Sequence, residues 1–133
     1  MKQTILVFGN PLVELDSLAV RILPQLKKTF PNINFIHVDP TENLQNYGKK
    51  LKILDVAPNI NEIKIFNLQN EKDLDKISTS KIFSMHDFDL GYNLKLLKKL
   101  DLIDEAKIIC LPWNMKEEEA LEGITKLINK KEL

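Results

Sequence analysis

A single cysteine, Cys110, means that no disulfide can form within the chain, a usage compatible with a reducing cytosol. Four glycines in 133 residues leave no G-x-x-x-x-G-K-[ST] phosphate loop and no G-x-G-x-x-G after the first apolar run. The nucleophile elbow G-x-S-x-G and the zinc helix H-E-x-x-H are missing too. Neither sign of charge is in excess, since 19 Lys and Arg balance 19 Asp and Glu. That balance removes the drive for a broad nucleic-acid or anionic-membrane surface, although it leaves room for a small local patch. Long apolar runs are also absent. The stretch after Met1–Thr4 is only four or five residues, too short for a signal-peptide core or a membrane span, so a cytoplasmic protein is expected.

What is present suits a soluble globular chain: 44% hydrophobic and 29% charged residues, in a length that fits one domain over residues 1–133. A chain of this size hides roughly two-thirds of its unfolded surface on folding, enough for a real core. Ile5-Leu6-Val7-Phe8, stopped by Gly9-Asn10, reads as a strand buried on both faces. Leu15, Leu18, Ala19, Ile22, Leu23, Leu26 and Phe30 follow at helical spacing, with Pro24 expected to kink or end the regular part and Asp16 or Ser17 to cap its start. A second strand covers Ile33–Val38, ending at Asp39-Pro40. Thr41 to about Leu54 reads as a weaker helix, and Ile63–Phe66 as the third strand, ending at Asn67. The segment 76–83 has room for a short strand or two. Ser84–Asp87 reads as a loop, with Leu90, Leu94 and Leu97 on the helix after it. Lys107–Leu111 reads as an apolar strand stopped by Pro112. The last helix spans Lys116–Lys130, acidic at its start and basic at its end as the helix dipole favours.

This alternation predicts an α/β fold: a three-layer α/β/α sandwich with a mostly parallel central sheet of about five strands. Ligands in such sheets sit at the carboxyl ends of the strands, where Gly9, Asn10, Asp39 and Asn67 are expected to gather. Cys110 lies inside an apolar strand and reads as a small core residue rather than a nucleophile. Acidic and imidazole groups are left to carry chemistry: Asp16, Asp39 and His86, with the amide of Asn67. Together they could hold a borderline divalent metal. Singly, Asp16 reads as a helix cap, Asp39 as a strand-to-turn residue and His86, beside Asp87, as a solvated loop residue.

Ile5-Leu6-Val7-Phe8-Gly9-Asn10-Pro11-Leu12, followed by Asp16, Val20 and Arg21, resembles the opening of the nickel–iron hydrogenase maturation proteases. That family begins with an apolar strand, then G-N-x-L, an acidic pair and a helix containing V-R. The resemblance continues in order through Phe35–Asp39, through Phe83–Leu90 with its S-x-H-x-x-x-L pattern, and through Ile108–Pro112. It implies an endopeptidase that senses nickel in a hydrogenase large-subunit precursor, or a related metalloenzyme, and removes its C-terminal extension. The nickel is supplied by the client, with no organic cofactor and no nucleic-acid partner. Carried over residue by residue, Asp16 and His86 correspond to metal ligands. Asp39 is the candidate supporting carboxylate, and Gly9 and Asn10 are expected against the substrate. The family's middle ligand is an aspartate ending the third strand, which on this reading becomes Asn67, a neutral and weaker donor. The chain departs elsewhere as well: the acidic pair is spread over Glu14-Leu15-Asp16, Ser17-Leu18-Ala19 replaces the family's glycines, and the length is short. Two alternatives stand beside this reading: a catalytically inactive metal-sensing or chaperone-like relative on the same fold, which Asn67 favours, and a flavodoxin-like module binding a small ligand, which the missing glycine loop disfavours.

Overall fold

The computed structural model describes residues 3–39, 42–69 and 94–131, apart from the side chain of Leu15. Five strands, β1 (Gln3–Val7), β2 (Ile33–His37), β3 (Lys50–Ala57), β4 (Lys64–Leu68) and β5 (Glu105–Pro112), form one sheet in the order β2-β1-β3-β5-β4. The first three and β5 run parallel, and β4 pairs antiparallel with β5 at the edge.

Helices cover both faces, because every central strand carries apolar side chains on both sides. On one face α1 (Leu18–Arg21), α2 (Leu23–Thr29) and α4 (Glu117–Asn129) pack Leu18, Ile22, Leu26 and Ile124 against Ile5, Val7, Leu54 and Ile109. On the other face α3, helical over residues 94–99, brings Leu94 and Leu97 to Leu6, Ile53 and Ile108. Leu44, from the 3-10 turn Leu44–Tyr47, joins this second cluster. The result is the expected three-layer α/β/α arrangement. Cys110 is fully buried in β5, as its apolar surroundings imply. Among the described residues no helix is long and apolar enough to cross a membrane.

Pro24 acts as its position predicts. It has no N–H for the carbonyl four residues earlier, so the helix breaks at Ile22 and restarts with Pro24 in its first turn. The expected cap differs. Ser17 stands at the N-cap of α1 without a capping side-chain bond; its hydroxyl donates to the Glu14 carbonyl at 3.1 Å and accepts from Arg21 Nε at 3.0 Å. The Asp16 carboxylate turns back to the Asn10 N–H instead, at 3.0 Å.

Two expectations are overturned. The weaker helix over 41–54 is a 3-10 turn followed by β3, the central strand. Leu44, Leu51 and Leu54 fall at spacings of seven and three, which imitate a helical stripe. Gly48, however, takes φ +116° and ends the turn, and from Lys50 onward the side chains alternate between the two sheet faces. The strand read at 63–66 exists as β4, but it is the fourth in chain order, lies at the edge and runs against its neighbour. The strands considered within 76–83, the loop 84–87 and the start of the helix after it lie outside the described residues.

The central position of β3 sets a stability contrast. Ile53 is fully buried there, and Ile53→Ala is expected to reduce the unfolding free energy by about 2–5 kcal/mol in urea titration. Leu12, 91% exposed, should tolerate Ala within about 0.5 kcal/mol.

Candidate functional site

The chain leaves β1 to one side to form β2 and crosses back past β1 to form β3. The gap between the carboxyl ends of β1 and β3 is therefore the point where the connections reverse direction, the usual ligand crevice of open α/β sheets. Both walls of that crevice follow from where β1 stops. Phe8 N–H makes the last bond between the two strands, to the Leu54 carbonyl at 2.9 Å. Gly9 then swings away with φ +147°.

On the β1 side, the loop closes on itself. Asn10 N–H donates to Asp16 Oδ2, and Leu12 N–H donates to Asn10 Oδ1 at 2.9 Å. A Cβ on Gly9 would lie 2.6 Å from the Asp16 carbonyl oxygen and 2.9 Å from Val20 Cγ2, so only glycine lets strand and turn approach this closely. The 3-10 turn Glu14–Asp16 that carries Asp16 packs onto β3.

On the β3 side stands Asp55, buried to 1% exposure. Leu54 gives its carbonyl to β1, so Val56, two residues on, points its N–H to the same side. No β1 residue is there to receive it, and Asp55 Oδ1 accepts that N–H at 2.8 Å. The bond draws the Asp55 carboxyl toward the side vacated by β1, where the Gly9–Asp16 loop lies. Sequence reasoning missed Asp55 because it read this segment as helix. The signal lay in Leu51-Lys52-Ile53-Leu54-Asp55-Val56, an apolar run interrupted by one acid near its end.

The other sequence-derived candidates divide. Gly9, Asn10 and Asp16 meet at the crevice. Asp39 is on the same rim but exposed beyond the edge strand β2, its N–H bonded to the Glu42 carboxylate. Two strand spacings separate that edge from β3, roughly 10 Å. Asn67 is not in the crevice. Because β4 is antiparallel, its end lies beside the start of β5, with Asn67 opposite Lys107, so Asn67 occupies the far rim of the sheet. The third strand in chain order is β3, not β4, and the aspartate near its end is Asp55. His86 lies outside the described residues. His37 was not singled out, yet it braces the rim. Its Nε2 lies 2.9 Å from the Gly9 carbonyl, which can only accept, so Nε2 carries the proton. Among the described residues no three His, Cys, Asp or Glu side chains cluster closely enough to hold a metal by themselves.

Comparison with known proteins agrees with this architecture. No protein-family model matches the chain, and no curated protein matches it in sequence. Solved structures do. The [NiFe] hydrogenase maturation protease HybD from Thermococcus kodakarensis superposes with a TM-score of 0.67 at 22% identity, over 96% of this chain and 99% of that one. The hydrogenase maturating endopeptidase HybD from E. coli gives 0.65 at 18%, over 98% and 94%. The hydrogenase 2 maturation peptidase from a Thaumarchaeota archaeon gives 0.59 at 16%, over 98% and 97%. The chain thus has the fold of the hydrogenase maturation proteases along almost its whole length.

The tight approach at Gly9 yields a prediction. Gly9→Ala forces a side chain into a left-handed conformation against backbone, and is expected to destabilise the fold by about 1–3 kcal/mol in thermal or urea unfolding.

Proposed function

We propose that the protein is a maturation endopeptidase that recognises nickel held by a hydrogenase large-subunit precursor, or a related metalloenzyme, and removes its C-terminal extension. The observation that carries this reading is the pair of acids, Asp16 and Asp55, flanking the crevice between β1 and β3 in a chain with the maturation-protease fold. Their positions match those the resemblance assigns to the first and middle metal ligands, and His86 matches the third.

The nickel belongs to the substrate. Two carboxyl oxygens and one imidazole form a donor set suited to a borderline dication, and the client's own ligands would complete the coordination. An empty client offers nothing for Asp16, Asp55 and His86 to grip, so metal loading becomes the condition for cutting. Gly9 and Asn10 hold the crevice open beside the arriving peptide, since their backbone is already folded back on Asp16. Hydrolysis needs no covalent nucleophile. Water adds to the scissile carbonyl carbon while a carboxylate takes its proton; the C–N bond then breaks and the proton passes to the departing amine. We assign that proton to Asp16, which is half-exposed beside the crevice. Asp39 is assigned a supporting electrostatic role from the edge of the rim.

The test is processing of a nickel-loaded precursor by the purified protein, followed by mass spectrometry of the released extension. Cleavage is expected with the loaded precursor and not with the metal-free one. Asp16→Asn, Asp55→Asn and His86→Ala should each lower the rate by about 100-fold or more. Asn67→Asp, on the far rim, should leave it unchanged. Normal cleavage by His86→Ala, or a rate that follows Asn67, would overturn the assignment.

A further inference from the structure

The peptide group between Gly9 and Asn10 is held from both sides. Its carbonyl oxygen, on Gly9, accepts from His37 Nε2 at 2.9 Å. Its N–H, on Asn10, donates to Asp16 Oδ2 at 3.0 Å. A trans peptide is planar, with its C=O and N–H pointing opposite ways, so the two side chains grip one rigid unit at its two ends. A continuous chain of hydrogen bonds thus runs from an imidazole, through one peptide, to the carboxylate beside the crevice.

The strand register explains why a side chain is needed at the first end. In the β1–β2 ladder, Val38 N–H donates to the Val7 carbonyl at 3.0 Å. The next bond of that kind, two residues on, would run from residue 40 to Gly9, and residue 40 is proline, which has no N–H. No backbone donor of β2 is available to the Gly9 carbonyl, and the His37 side chain supplies one. Phe35 packs in the cluster that holds α1 and α2, so His37, two residues on, stands on that same face of the sheet. The turn Glu14–Asp16 leads directly into α1 on this face. His37 is itself exposed and adds little to the core.

The centre of the chain is also its loosest point. Gly9, at φ +147°, has more rotational freedom than any residue with a Cβ, and rotation of the peptide after it would break both bonds together. Hydrogen bonds in series polarise one another, so the donor on the Gly9 carbonyl strengthens the N–H that Asn10 offers to Asp16. We propose that His37 is a positioning residue: through the Gly9–Asn10 peptide it fixes how the Asp16 carboxylate faces the crevice. The role rests on the reading of Asp16 as the carboxylate that takes the proton from water. It gives His37 no contact with client, nickel or water.

The test compares two variants. His37→Leu fills similar space without a donor, and His37→Gln keeps an N–H donor at similar reach. Hydrogen exchange of the Asn10 amide, followed by NMR on the full chain, needs no client. His37→Leu should speed that exchange about tenfold, as loss of one hydrogen bond implies, and His37→Gln should leave it close to the natural rate. In processing of the nickel-loaded precursor, His37→Leu should lower the rate about tenfold or more, and His37→Gln should restore most of it. A space-filling role alone would make leucine as good as glutamine. Thermal unfolding checks that each variant is folded, and His37→Met replaces a leucine variant that is not. Unchanged Asn10 exchange in His37→Leu, or a glutamine variant as slow as the leucine one, overturns the proposal. An active natural protein with an equally active His37→Leu overturns it alone. A natural protein that leaves the loaded precursor intact overturns the proteolytic reading, and this role with it.

Discussion

Where β1 lets go of β3 governs the rest of the molecule. Up to Phe8 and Leu54 the two strands share a ladder, Leu6 opposite Ile53 and Val7 opposite Leu54. One residue later Gly9 takes a conformation open to glycine alone and the ladder ends. A backbone N–H left in a buried place must be satisfied locally, and the carboxyl of Asp55 does so for Val56. A loop leaving a strand needs the same, and Asp16 does so for Asn10. Two acids therefore come to the crevice for structural reasons first. Asp16 Oδ2 and Asp55 Oδ1 each accept a backbone N–H, and any chemistry is added to that scaffold.

The strand directions place named residues at opposite ends of the sheet. Asp16 and Asp39 come after the carboxyl ends of β1 and β2 and Asp55 lies near that of β3, while Lys50, Lys52 and Lys107 fall near the start of β3 and β5. Antiparallel β4 crosses that division, and so Asn67, at the end of its strand, joins the rim of Lys107 and not that of Asp55. The same inversion explains why one strand direction changed the interpretation of the site.

Much of the fold was legible from local pattern. The run Ile5–Phe8, the stripe around Pro24, the apolar Lys107–Leu111 and the dipole-matched last helix all appear where the sequence places them, because each satisfies a single period without conflict. The segment 44–57 was not legible, since its leucines fit a helical spacing while its burial on both faces requires a strand between two others. Local propensity could not choose between those periods; pairing with β1 and β5 did. The acidic crevice was half legible: Gly9, Asn10 and Asp16 announce themselves beside a turn, but Asp55 sits inside an apolar run and looks like an interruption.

By itself the sequence determined the layer architecture, the buried nature of Cys110, and the turn at Gly9-Asn10 that ends β1; the closing of that turn by Asp16 came only with the structure. These depend on side-chain periodicity and on contacts between residues close in the chain. Tertiary structure alone decided which strand is central, which one runs backwards, and hence that Asp55 rather than Asn67 stands across from Asp16. Those outcomes rest on hydrogen bonds between strands some 50 residues apart in the chain, such as Leu54 with Ile109, and on the order in which strands take their places. No property of a single segment encodes that order.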